Sequence, residues 1–203
     1  MLSLRPQCEE MIYLDIVLAS ASPRRRELLK MLGVENFKVV PAVGEEVITN
    51  GMTASDAVCS LSFAKASEVS KLCAEADVII AADTVVALDG KILGKPVNKT
   101  DAFHMLSRLS GRTHNVFTGV TVMKGETSYT ECERTSVRFR ELTEREIFAY
   151  IETGEPMDKA GAYGAQGIGS LFVEGIEGDF FNVVGLPLCR LSKMLEKVGV
   201  NLI

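Results

Sequence analysis

Three consecutive arginines, one aspartate inside an apolar run, and a glycine-dense stretch are where this sequence holds side chains suited to chemistry. In "LASASPRRRELL", Pro23 suits the first position of a helix with Ser22 as its N-cap, which sets Arg24, Arg25 and Arg26 in the first turn. A helix N-terminus carries partial positive charge and favours acidic neighbours, so three cations there call for an anion among them. Free N–H groups at a helix start and forked guanidinium donors both suit phosphate oxygens. Ser20 and Ser22 add hydroxyl donors, and Arg24 and Arg25 are better placed for this than Arg26. The alternative is a solvated turn with one arginine paired to Glu27. No glycine-rich Walker pattern is present, so a phosphate site here is of another kind.

Asp83 interrupts the apolar run "VIIAADTVVAL". An unpaired buried charge is very unfavourable, so this carboxylate has to meet a cation, a metal or a wet cleft. Such a group can hold Mg²⁺ or orient an attacking water. The competing reading is a kink or strand end with Asp83 bonded to backbone. In "EPMDKAGAYGAQG" (155–167) the glycines allow close approach of a flat ring, with Gln166 positioned to read its edge. Read without a ligand, the same stretch is a surface loop. It does not match G-x-G-x-x-G and no helix follows, which disfavours a dinucleotide fold. Glu45, Lys65 and Lys95 taken singly read as surface charges. His104 and His114 suggest neither a triad nor a metal pair, so nucleophilic catalysis through histidine has no support.

The elements that must position these groups follow from periodicity. Residues 11–19 read as a buried strand, 23–32 as a short helix that Gly33 ends, and 37–47 as strand then loop. Residues 55–73 form a helix with Ala57, Leu61, Ala64 and Val69 inward. Residues 77–96 form a strand with a tight turn at Asp89–Gly90. A helix over 99–111, capped by Thr100, precedes strands at 114–123 and 128–140. Thr143 and Glu146 form a capping box for a helix over 142–154, with Leu142 stapled to Ile147. Residues 171–185 read as a hairpin, and 186–199 as an amphipathic helix with Leu188, Leu191, Leu195 and Val198 on one stripe. Helices alternate with partly hairpin-linked strands, which favours an α/β fold with a mixed sheet.

The 203 residues are 47% hydrophobic, enough for one large domain or two small lobes. A net charge of -5 argues against a nucleic-acid backbone as ligand but not against a small anion. Five widely spaced cysteines without C-x-x-C argue against a disulfide scaffold or zinc site and for a reducing, cytoplasmic setting. No apolar run reaches the length of a membrane span, and the start lacks a signal-peptide plan.

Together, "LASASPRRRELL", "AADTVVALDGKILGKP", "MLSRLSGRTHNVFTGV", "YIETGEPMDKAGAYGAQG" and "VVGLPL" resemble the Maf family of nucleoside triphosphate pyrophosphatases. The resemblance implies a single two-lobed α/β domain over 1–203, related to the inosine triphosphatase fold, with a long mixed β-sheet flanked by helices and the active-site cleft between lobes. Residues 1–10 would be an additional N-terminal segment. The implied reaction splits a nucleoside triphosphate into monophosphate and pyrophosphate with a divalent cation, Mg²⁺ or Mn²⁺. By motif position Asp83 is the implied acid-base residue. Ser20, Arg24, Arg25, Lys65 and Lys95 would hold substrate, and Glu45 would join Asp83 at the metal. Arg24, Thr84 and Gln166 are similar to the branch acting on dTTP and UTP, modified pyrimidine nucleotides included. The branch acting on 7-methyl-GTP, and a non-catalytic nucleotide-binding regulator of cell division, are the alternatives. A homodimer is the oligomeric state the resemblance allows for.

Overall fold

The computed structural model describes residues 14–44, 47–49 and 51–202. The additional segment expected over 1–10 lies outside the described residues. In chain order the elements are β1 (Ile16–Leu18), α1 (Pro23–Met31), β2 (Phe37–Val39), α2 (Ala54–Leu72), β3 (Val78–Leu88), β4 (Lys91–Leu93), α3 (Lys99–Leu109), β5 (Thr113–Lys124), β6 (Thr127–Phe139), α4 (Glu144–Glu152), β7 (Val173–Glu177), α5 (Phe180–Val184) and α6 (Leu188–Lys197). Seven strands form one mixed sheet in the order β2-β1-β3-β5-β6-β7, with β4 also on β3. Strands β1, β2 and β3 run parallel, and every other pairing is antiparallel.

The long strands β3 and β5 carry the architecture, because they pass through two separate apolar cores. Val78, Ile80 and Ala82 of β3 and Val120 and Val122 of β5 pack with α1 and α6. On the same face further along, Val86, Leu88 and Val116 pack with α3, α4 and Tyr163. Side chains alternate across a strand, so Thr84 and its cross-strand partner Thr118 fall on that face between the two cores. The opposite face packs under α2 through Ile79, Ala81, Ala66 and Val69. There Asp83 lies beside Gly119, which in turn lies beside Cys132 of β6. Helix α2 presses onto this row. A Cβ on Gly119 would lie 2.2 Å from the Val58 carbonyl oxygen, so only glycine admits the helix so close.

The pairing along β3 explains where the cleft opens. One edge is covered by β5 from Ile79 to Ala87. On the other edge β1 covers Val78 to Ile80 and β4 covers Val86 to Leu88. Among the described residues no strand covers the stretch between, and Asp83 and Thr84 sit in that gap.

Several local expectations hold. Asp89 and Gly90 both have positive φ, as a two-residue hairpin turn requires. The Thr143–Glu146 capping box is complete. Leu188, Leu191, Leu195 and Val198 are all buried. Others are corrected. Residues 171–185 are not a hairpin: β7 pairs with β6, and Asp179 caps α5 by accepting the Phe181 N–H at 2.7 Å. Asn98, not Thr100, caps α3, accepting the Asp101 N–H at 2.8 Å. Ala64 is exposed, and Ser62 and Ala66 take the inward positions of α2 instead.

Candidate active site

A cavity of about 560 Å³ opens at the gap in β3, and eight of the nine residues singled out from the sequence line it: Ser20, Arg24, Arg25, Lys65, Asp83, Thr84, Lys95 and Gln166. The ninth, Glu45, lies outside the described residues. Asp83 is not at a kink or strand end. It sits mid-strand, 7% exposed, and its opening to the cleft comes from the missing strand beside it. The Lys65 ammonium reaches it from α2, donating to Asp83 Oδ1 at 2.5 Å. Both side chains are largely buried, so this pair holds the carboxylate's direction as well as offsetting its charge.

The arginine turn is built differently from a plain solvated helix start. Arg26 is exposed, whereas Arg24 and Arg25 are half-buried. Ser22 stands at the N-cap without a side-chain cap bond. Arg25 turns inward. Its Nε donates to the Gly185 carbonyl at 2.8 Å, Nη1 to Ser20 Oγ at 3.1 Å, and Nη2 to Thr84 Oγ1 at 3.0 Å. One guanidinium therefore ties the end of β1, the middle of β3 and the turn after α5 together. Gly185 has φ +120°, a backbone conformation that favours glycine and presents its carbonyl to Arg25.

The opposite wall is the glycine-dense loop. It folds as short 3-10 turns at Glu155–Asp158 and Ile168–Phe172, with a kink between them where Gly161 and Ala162 both have positive φ. One carboxylate holds most of it. Glu155 accepts the Ile168 N–H at 3.0 Å, the Gly169 N–H at 3.1 Å and the Tyr150 hydroxyl at 2.9 Å. Burial pushes the Glu155 carboxyl up, but these donors outweigh it and leave it below its usual range. Tyr163 is anchored underneath, its hydroxyl 2.7 Å from His114 Nε2. Burial drives the His114 imidazole down to about 4, so it is neutral at physiological pH.

Asp158, Lys159 and Tyr163 also line the cavity and were not singled out from the sequence. Lys159 donates to Asp158 Oδ1 at 2.7 Å and to the Glu155 carbonyl at 2.6 Å. Burial pushes Asp158 up, yet the hydrogen bond and charge of Lys159, with the charge of Arg24, hold it below its ordinary value. Nothing local marks this pair, since "MDKAG" reads as a surface turn until the loop closes over β3. Among the described lining residues, five cations face two carboxylates, so an acidic protein carries a cationic cleft. Such a cleft attracts a polyanion and leaves one buried carboxylate near it.

The residues present fit a Mg²⁺ or Mn²⁺ bound together with a phosphate ligand. Such ions are commonly held by one or two carboxylates and complete their shell with phosphate oxygens and water. Asp83 supplies one carboxylate directed into the cavity. Among the described residues no cluster of three or more acidic, histidine or cysteine side chains offers a self-sufficient metal site.

The family model described as Maf-like protein matches residues 15–198. A dTTP/UTP pyrophosphatase of Bacillus anthracis is 47% identical over 186 residues, covering 92% of this chain and 96% of that one. A dTTP/UTP pyrophosphatase of Clostridium perfringens is 49% identical over 193 residues, covering 94% of this chain and 100% of that one. Among solved structures, a nucleoside-triphosphatase / dITP/XTP pyrophosphatase from Mycobacterium abscessus aligns with a TM-score of 0.41 at 17% identity, over 64% of this chain and 76% of that one.

Proposed function

We propose, from the premise that this chain belongs to the Maf family, that it hydrolyses dTTP and UTP to the nucleoside monophosphate and pyrophosphate. The observation that carries this reading is one cleft in which a buried carboxylate, Asp83, shares its space with the cations of the arginine turn. The opening problem of the sequence then has its answer: the anion that belongs beside Arg24 and Arg25 is a triphosphate.

In this mechanism water attacks the α-phosphorus and pyrophosphate leaves. Asp83 accepts a proton from that water and directs it, with its carboxylate aimed by Lys65. Arg24, Lys65 and Lys95 take up the negative charge of the phosphates, which reduces the cost of the charge developing on the leaving group. Arg25 acts chiefly as a clamp, because three of its donors are committed to protein acceptors. Ser20 remains beside it as a phosphate contact. Thr84 and Gln166, on opposite walls, face the nucleoside. When bound, Mg²⁺ or Mn²⁺ supplies charge neutralisation on the phosphate oxygens. Asp83 would hold it, with Glu45, outside the described residues, as the second carboxylate on the strength of the family resemblance.

The reading extends to setting and assembly. The free thiols of Cys59, Cys73, Cys132 and Cys189 support a reducing, cytoplasmic location. Among the described residues no helix is long and apolar enough to cross a membrane. A homodimer is tested by light scattering. The activity itself is tested by pyrophosphate release from dTTP, UTP and 7-methyl-GTP with Mg²⁺ or Mn²⁺. Faster turnover of dTTP and UTP supports the reading. A preference for 7-methyl-GTP transfers the protein to the other branch, and tight binding without release makes it a nucleotide-binding regulator.

A further inference from the structure

Two hydroxyls flank the Arg25 guanidinium in the cleft, and their hydrogen bonds leave them with opposite polarity. A serine or threonine hydroxyl has one proton to donate and two lone pairs to accept with. Ser20 Oγ accepts the Ser22 N–H at 3.3 Å and Arg25 Nη1 at 3.1 Å. Both partners are obligate donors, so both lone pairs of Ser20 are in use and its proton is left for the cleft.

Thr84 is the reverse. Arg25 Nη2 lies 3.0 Å from Thr84 Oγ1, and a guanidinium only donates, so one lone pair of Thr84 is taken. Thr84 Oγ1 also lies 2.9 Å from Thr118 Oγ1. Either hydroxyl has the chemistry to donate in that pair, but the next bond in the chain decides. Thr118 Oγ1 lies 3.0 Å from the Asn182 carbonyl oxygen, which only accepts, so the one proton of Thr118 is spent there. That carbonyl also takes the Gly185 N–H at 3.0 Å, which fixes it in place. Thr84 must therefore give its proton to Thr118. What remains on Thr84 toward the cleft is a lone pair.

We propose that Thr118, fully buried beneath the site and touching no substrate, is a positioning residue that makes Thr84 a hydrogen-bond acceptor. The substrate is thereby oriented: a phosphate oxygen meets the Ser20 proton, and an N–H or O–H donor of the nucleoside meets Thr84. A phosphate oxygen at Thr84 would set lone pair against lone pair. The donor is either the pyrimidine N3–H or the sugar 3′-hydroxyl, which share this chemistry. The inference rests on the pyrophosphatase reading above and adds the substrate's direction in the cleft.

The test compares dTTP with its N3-methyl and 3′-deoxy analogues by pyrophosphate release, in the wild type and in Thr84→Val, Thr118→Val and Thr118→Ser. The wild type is expected to lose about tenfold or more in kcat/KM on one of the two analogues, because the acceptor there is left unpaired. That analogue identifies the donor. Thr84→Val should treat it and dTTP alike. Thr118→Val frees the Thr84 proton to rotate toward the cleft and should shrink the same discrimination. Thr118→Ser, which keeps the hydroxyl, should restore it, a rescue that loss of packing alone would not produce. Thermal melts identify any variant that fails to fold, and the Thr84→Val and Thr118→Ser arms then carry the test. Equal wild-type rates on all three nucleotides would overturn the proposal. So would a loss on the analogue that persists in Thr84→Val, or Thr118→Val discriminating as the wild type does. If the wild type binds these nucleotides without releasing pyrophosphate, the pyrophosphatase reading fails separately, and the same comparison is made on dissociation constants.

Discussion

The two walls of the cleft are held by different physics. On one wall, Asp83, Thr84, Thr118 and Gly119 occupy neighbouring positions in β3 and β5, so their relative places are set by strand register. Register in a sheet with both faces buried is strongly specified, because a slip of one residue turns every side chain to the wrong face. On the other wall, residues 164–169 have no strand to align them and depend on Glu155 and Tyr150. The first wall is set by backbone pairing and the second by a few side-chain hydrogen bonds. This suits a site in which one wall holds the water, the phosphorus and the nucleoside donor that meets Thr84 in fixed geometry, while the other closes on the rest of the nucleoside.

The largest expected effect is on the chemistry of the register-held wall. Asp83→Asn keeps the shape of the side chain and removes its ability to take a proton. Loss of a positioned general base costs about 10²–10⁴ in rate, so kcat should fall by that factor with nucleotide binding largely kept. Steady-state pyrophosphate release and equilibrium titration measure the two halves. A normal kcat would remove Asp83 from the mechanism.

Next is the place where α2 meets that wall. In Gly119→Ala the new methyl would lie 2.2 Å from the Val58 oxygen and 2.4 Å from its carbonyl carbon. Both are backbone atoms, so no side chain can turn aside and the helix must lift. Overpacking of this kind costs about 3 kcal/mol. It should also draw Lys65 away from Asp83, lowering urea stability and kcat together. A drop in stability alone would show that the Lys65–Asp83 contact survives a displaced helix.

The joint between the walls is His114 on β5, bonded to Tyr163 in the loop. The imidazole titrates near 6.5 when free and near 4 when folded. Its folded value is depressed, so as pH falls below 6.5 the unfolded chain takes up a proton that the folded protein refuses. Stability is thus fully present above pH 6.5 and declines toward pH 4. Each pH unit inside that window costs about 1.4 kcal/mol, giving about 2 kcal/mol between pH 7 and 5. Urea midpoints should show this slope in the wild type and lose it in His114→Gln.

The register-held wall was the more legible in sequence, and the reason is physical. Asp83 breaks an apolar run, and the arginine turn opposes a helix dipole, so each conflicts with its own neighbourhood. The binary pattern also places β3, β5, β6 and α6. What lay hidden depends on contacts distant in sequence. Thr118 is one threonine among several in a strand, and its importance comes from the Asn182 carbonyl 64 positions away. Asp83 opens to the cleft because β1 ends and β4 begins on the same edge, which no local window contains. Asp158, Lys159 and Glu155 read as loop polarity until the 3-10 turns bring them together. The supposed hairpin over 171–185 failed for a related reason: Gly178 and Asp179 suit a strand turn, but Asp179 caps a helix here.

The smallest expected effect sharpens the contrast most, because it loosens one wall alone. Glu155 Oε2 accepts the Ile168 N–H, and Oε1 accepts the Gly169 N–H and the Tyr150 hydroxyl. In Glu155→Gln one of those oxygens becomes an NH₂ facing a donor, so at least one contact is lost while size and packing are kept. The loop carrying Gln166 should then sample more conformations, and the nucleotide must reorder it on binding. A cost near 1.4 kcal/mol corresponds to about tenfold in affinity. It should fall on KM, because Asp83 and Lys65 are attached to β3 and α2 and do not move with the loop. An equal fall in kcat and kcat/KM would mean that the loop contributes to the transition state. The division of labour between the walls would then be wrong.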